Sequence, residues 1–150
     1  MKTERININQ ITSKAYQPLF DLHHYLKNST LSPAEFLLIE IRASQINGCA
    51  YCLQMHIKDA IDNGEKQYRI HALPVWEESP FFTEDEKIIL QMTEQITMIS
   101  QQGLSDELYQ IAMDHFDATK VADIIMAICA INTWNRIGRA TLMTPEASQS

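Results

Sequence analysis

The sequence predicts an all-α protein, a bundle of about six or seven helices, and three observations carry that prediction. Apolar residues recur at the helical period of about 3.6 along most of the chain. The segments so marked are bounded by capping residues and by Asn-Gly or Pro breaks. No stretch shows the strict apolar/polar alternation of a half-buried strand, and four Gly and five Pro in 150 residues are too few for a turn-rich β architecture.

The elements follow in order. After a polar start, Leu19, Leu22, His23 and Leu26 fall on one face of a first helix over residues 13–27. Ser32 then offers an N-cap, Pro33 suits the first helical position and Glu35 completes a capping box, so a second helix runs to residue 45. Its apolar stripe is Ala34, Leu37, Leu38 and Ile41, with Glu40 on the margin. Asn47-Gly48 breaks the pattern, and a third helix begins near Cys49 and ends at Asn63-Gly64. A shorter helix is expected over 65–72, then a bend, LPVWEESP, containing Trp76. Thr83 and Glu86 form another capping box before a helix to residue 100, which stops at Gly103. Ser105 caps a helix carrying Leu108, Ile111, Ala112 and His115, and a long helix over 119–143 ends at Pro145. There is no internal repeat and no low-complexity segment.

The length fits one compact domain over 1–150. A net charge of −7 leaves no basic surface for phosphates or anionic lipid, so neither nucleic acid nor a membrane is an expected partner. The N-terminus, MKTERININQITSK, lacks the apolar stretch of a secretory signal, which makes the cytoplasm the expected location. The longest apolar run, over 121–131, is interrupted by Asp123 and is shorter than the roughly 20 residues that span a bilayer. Three cysteines fit a static disulfide framework poorly; a working thiol pair with one spectator fits better. The spectator, Cys129, lies in IIMAICAI and reads as a small core residue.

The pair is in SQINGCAYCLQMH. On a helix that advances about 100° per residue, Cys49, Cys52 and His56 lie within about 60° of one another. Cys52 and His56 are in the i, i+4 relation in which side chains meet, so the imidazole can take the thiol proton. A free thiol with a pKa of about 8.5 is mostly protonated at neutral pH; a helix N-terminus, a neighbouring His and a CxxC spacing all lower that value. These effects compete: the helix dipole acts most on Cys49, whereas His56 acts on Cys52, and spacing alone does not say which sulfur reacts first. Once one is oxidised to a sulfenic acid the other can condense with it, a thiol-peroxidase cycle. The same pair would equally serve disulfide exchange. A third reading is a non-catalytic redox-sensing or metal-holding module. CxxC with His offers three zinc ligands, but structural zinc wants a fourth close ligand and a helical core of this size needs no metal to fold, so no metal is expected.

The stretch RASQINGCAYCLQMHIKDA closely resembles the signature of the alkylhydroperoxidase D-like (AhpD-like), or carboxymuconolactone decarboxylase-like, superfamily, in its short single-domain members. VWEESPFFTEDEK and AINTWNRI resemble the same members, so the likeness spans residues 8–145. It implies an all-α, AhpD-like, oligomeric fold, a trimer or hexamer, with peroxide-reducing or disulfide-reducing activity. It also implies a hydroperoxide substrate, a dithiol or protein reductant and no bound cofactor. By the resemblance Cys52 becomes the sulfenic acid, Cys49 is proton donor and resolving thiol in a redox disulfide with it, and His56 belongs to a proton relay. Two positions depart from the pattern. The relay glutamate of the relatives corresponds to Leu37 here, with Glu40 one turn later as its candidate replacement, and the residue between the cysteines, a histidine in the alkylhydroperoxidase, is Tyr51. The decarboxylase branch works without this cysteine pair, so that activity is not expected.

The remaining histidines, His23, His24, His71 and His115, read as surface or packing residues. Asn132, Trp134, Asn135 and Arg136 suit a subunit interface or a wall of the thiol site, and the methionines read as core fillers.

Overall fold

The computed structural model describes residues 3–145. Eight α-helices account for most of them: α1 (Ile8–Ile11), α2 (Ser13–Lys27), α3 (Pro33–Asn47), α4 (Ala50–Asp62), α5 (Gln67–Ala72), α6 (Glu84–Thr97), α7 (Asp106–His115) and α8 (Ala118–Thr141). A short 3-10 segment, Leu73–Glu78, follows α5. The count exceeds the expected six or seven because Asn7 caps a separate single-turn helix, α1, ahead of α2. The bend at Trp76 is itself helical, with a break at Val75.

Local chemistry sets the boundaries. Ser32 and Glu35 form a reciprocal capping box at the start of α3, as do Thr83 and Glu86 at α6. Ser105 caps α7 and Asp117 caps α8. Gly48, at φ +63°, closes α3 in the left-handed region that a side chain would resist.

α3 is the centre of the bundle, packed against α4, α6 and α8. It was expected to be amphipathic. Instead Phe36, Leu37, Leu38, Ile39, Glu40 and Ile41 are all buried, because the helix divides two apolar clusters. Phe36, Ile39 and Ala43 enter one with Leu26, Met92 and the α8 residues Ile124, Ile128 and Ile131. Leu37, Leu38 and Ile41 enter the other with Ala60, Ile70, Leu73 and Trp76. Each fully buried Leu or Ile in these clusters contributes about 1.5–3 kcal/mol of transfer free energy. Among the described residues no helix is long and apolar enough to cross a membrane.

Two expectations about individual side chains need correction. Cys129 is exposed. It lies on an outward stripe with Ala122, Met126 and Arg136, a helical spacing hidden in the sequence by the apolar residues between them. Met126 and Met55 are exposed as well, so not every methionine fills the core.

Candidate active site

Gly48 turns the chain out of α3 directly into α4, and this junction builds the site. Cys49 is the N-cap of α4 rather than a helical residue: its Sγ accepts the Cys52 N–H at 3.3 Å, the place usually taken by a Ser or Asp oxygen. Cys49 and Cys52 are joined by a disulfide, with 5.4 Å between their Cα atoms. Both are buried.

One turn further along α4, His56 is also buried. Its Nδ1 lies 3.1 Å from Oε2 of Glu40 on α3. The contact is close, but the N–H is not aligned along it. Neither His56 nitrogen makes a hydrogen bond of good geometry among the described residues, and Nε2 is left as a buried, unpartnered ring nitrogen. The structure thus brings Glu40, His56, Cys52 and Cys49 into one sequence of neighbours across the α3–α4 junction. Leu37, which stands where the relatives carry the glutamate, faces the apolar cluster of α5 and Trp76.

A second histidine, given no role by its sequence, completes the surroundings of Glu40. His23 Nδ1, from α2, lies 3.6 Å from Glu40 Oε1, so the buried carboxylate is flanked by two imidazoles. Burial pushes the His23 pKa below its ordinary value; the Glu40 and Asp59 charges oppose this, and Lys27 and His56 add to it. The available signal was an ionisable ring on the otherwise apolar face of Leu19, Leu22 and Leu26.

α8 forms the floor. Gly138 lies under the disulfide: a Cβ there would stand 3.0 Å from Cys49 Sγ and 3.4 Å from Cys52 Sγ, so α8 approaches the sulfurs closely enough that a side chain would crowd them. Cys52 Sγ lies 3.9 Å from the Trp134 carbonyl oxygen. The Trp134 ring packs on Tyr16 and Phe20, with centroids 5.1 and 5.3 Å away. Burial and then the neighbouring Tyr51 raise the Tyr16 pKa.

The polar residues of α8 bind within the chain. Asn47 Nδ2 donates to Oδ1 of both Asn132 and Asn135 at 3.0 and 2.9 Å. Asn135 donates to Ser44 Oγ, which donates to the Glu40 carbonyl oxygen at 2.7 Å. This buried network ties the end of α3 to α8 and fixes the Gly48 turn from behind.

The carboxymuconolactone decarboxylase family model matches residues 13–95, a span that includes Glu40, both cysteines and His56. The chain belongs to the carboxymuconolactone decarboxylase family. Within that superfamily it is an AhpD-like member. It is 37% identical over 138 residues to the uncharacterized protein YdfG of Bacillus subtilis (strain 168), covering 92% of this chain and 94% of that one. A solved structure from Agrobacterium tumefaciens, of unknown function and proposed there as an antioxidant defence protein AhpD, superposes with a TM-score of 0.93 at 34% identity. That match covers 97% of this chain and 100% of the other. The debrominase Bmp8, solved with 2,3,4-tribromopyrrole, shares the fold at a TM-score of 0.81 and 18% identity, over 92% of this chain and 74% of that one. This carboxymuconolactone decarboxylase family fold therefore frames more than one chemistry, and the side chains at the α3–α4 junction have to carry any functional argument.

Proposed function

We propose that the protein is a thiol-dependent peroxidase of the alkylhydroperoxidase kind. The Cys52 thiolate attacks the terminal oxygen of a hydroperoxide, the O–O bond breaks, an alcohol or water leaves, and Cys52 is left as a sulfenic acid. Cys49 then attacks that sulfur, expels water and closes the disulfide, and an external dithiol reopens it. The observation that carries this reading is the Cys49–Cys52 disulfide at the start of α4, with the buried Glu40 carboxylate 3.1 Å from His56 one turn behind it. A carboxylate close to Nδ1 favours the proton on that nitrogen and leaves Nε2 to take another, and neither ring nitrogen is committed to a hydrogen bond elsewhere among the described residues. The Trp134 carbonyl meets Cys52 Sγ and the Trp134 ring packs with Tyr16 and Phe20, an apolar group on the residue that touches the reacting sulfur, which favours an organic hydroperoxide over hydrogen peroxide. Consumption of cumene hydroperoxide with a panel of dithiols tests the proposal; wild-type rates retained in Cys52→Ser would remove it.

A second reading, a disulfide reductase with weak peroxidase action, is favoured by Leu37 in the place of the relatives' relay glutamate. It predicts faster turnover of insulin or a small disulfide than of any peroxide. The proposal also includes assembly into a trimer or hexamer, for which the exposed stripe of Met126 and Cys129 is the supporting surface. Light scattering at micromolar concentration tests it, and a monomer overturns it.

A further inference from the structure

A cavity of about 230 Å³ opens beside the disulfide, walled by Gly48, Cys49, Gly138, Arg139, Leu142 and Met143. Cys49 takes part in this wall and Cys52 does not. An incoming group that uses the cavity therefore meets one particular sulfur, and Gly138 keeps that approach clear because any side chain there would press on Cys49 Sγ.

Arg139 gives the cavity a charge. Its Nη1 donates to the Gly48 carbonyl oxygen at 2.8 Å, which among the described residues leaves most of the guanidinium's donors uncommitted. The half-buried arginines behave differently: Arg42 pairs with Glu94, and Arg69 with Glu65 and Glu86. At the end of α8, Arg5 Nη1 also donates to a carbonyl, that of Ala140. In a chain of net charge −7, two arginines that meet backbone oxygens instead of carboxylates make the cavity end locally positive.

We propose that this cavity is the reductant's docking site, that it takes a dithiol bearing a carboxylate or other anion held by Arg139, and that the reductant attacks Cys49. The inference rests on the reading of Cys49–Cys52 as the turnover disulfide. The dithiol's thiolate attacks Cys49 Sγ, a mixed disulfide forms, and the Cys49–Cys52 bond breaks with its electron pair staying on Cys52 as a thiolate, which His56, one turn away, can protonate. The reductant's second thiolate then attacks its own sulfur in the mixed disulfide and expels Cys49 as a thiolate. That leaving group sits at the start of α4, against the Cys52 N–H it already meets at 3.3 Å. The dithiol ends as its own disulfide, the protein gains two electrons, and two protons pass to the cysteine pair.

The test follows reduction of the oxidised full-length protein by stopped flow, with no peroxide present. The probes are dihydrolipoate, an anionic 1,3-dithiol that can close a five-membered cyclic disulfide, and its neutral amide, dihydrolipoamide. Arg139→Gln is expected to slow reduction by dihydrolipoate about fivefold while leaving the amide within about twofold, with Arg139→Lys close to wild type. Equal slowing of both dithiols overturns the anion site. Acid-quenched reaction with mercaptosuccinate, followed by fragment mass spectrometry, locates the first mixed disulfide. An adduct on Cys49 is expected, and one chiefly on Cys52 overturns the assignment. Because no step uses a peroxide, a protein that reduces no hydroperoxide would sink the proposed function without altering either result.

Discussion

Glu40 Oε2 lies 3.1 Å from His56 Nδ1, and both side chains are buried between α3 and α4. The carboxylate is one helical turn from the position at which the relatives carry theirs, so this site reaches its histidine from a different point on α3. A buried carboxylate this close to an imidazole favours the tautomer with its proton on the facing nitrogen. Glu40→Gln is accordingly expected to lower peroxide turnover by about a hundredfold with the circular dichroism spectrum unchanged. A loss under threefold would show that the carboxylate takes no part. Leu37→Glu is not expected to rescue it, because Leu37 faces the apolar cluster of Ile70, Leu73 and Trp76.

His23 tests the other side of the same carboxylate. Its pKa is held below the ordinary value of about 6.5, first by burial, so the native state takes up this proton less readily than the unfolded chain does. The stability associated with neutral His23 is therefore full above about pH 6.5 and is lost as pH falls below it. Urea midpoints at pH 7.5 and pH 5 should show a smaller acid loss in His23→Gln than in wild type. Identical losses would mean that His23 does not titrate against the fold. In turnover, protonation of His23 draws Glu40 away from His56, so the acid limb of the rate profile should shift in His23→Gln.

Much of the fold could be read locally. Ser32 with Glu35, Thr83 with Glu86, Ser105, and the Asn-Gly ends of α3 and α4 are contacts between near neighbours in sequence, and they form as the spacing requires. What sequence spacing did not reveal depends on distant elements. The burial of Glu40 is set by α3 being enclosed by α4, α6 and α8, which a stripe of apolar residues cannot announce. His23 meets Glu40 only because α2 crosses α3. The amide network of Asn47, Asn132 and Asn135 satisfies groups that, read singly, suggested an interface. Cys129 was misplaced for the opposite reason: apolar neighbours masked the outward helical spacing of Met126 and Arg136.

Gly138→Ala should act on the disulfide itself. The new methyl would stand 3.0 Å from Cys49 Sγ, and overpacking of this kind costs about 1–3 kcal/mol. Thermal unfolding of the oxidised protein should reveal that loss, together with slower closure of the disulfide after oxidation. A variant as stable as wild type would mean that α8 moves away freely and does not form a fixed floor.

Asp123 offers a stability test remote from the thiols. Its buried carboxylate accepts the Thr30 N–H and hydroxyl at 3.0 and 2.7 Å and the Tyr25 hydroxyl at 2.9 Å. Burial alone would raise its pKa, but these hydrogen bonds, those of Thr30 foremost, outweigh burial and hold it below the usual carboxylate range. Its contribution is present above about pH 3.9 and is lost as pH falls through the lowered native value. Asp123→Ala should cost about 1–3 kcal/mol at pH 7, measured by urea unfolding, because Thr30 and Tyr25 lose their acceptor. The gap to wild type should narrow in acid; a gap independent of pH would argue against this assignment.

In the proposed cycle Cys52 is the sulfur that meets the peroxide. Reduced Cys49→Ser and Cys52→Ser proteins, each mixed with one equivalent of cumene hydroperoxide in the presence of dimedone, separate the two thiols by mass spectrometry. A dimedone adduct on Cys52 is expected in Cys49→Ser, with little label on Cys49 in Cys52→Ser. Equal labelling of the two, or label on Cys49 alone, would contradict it.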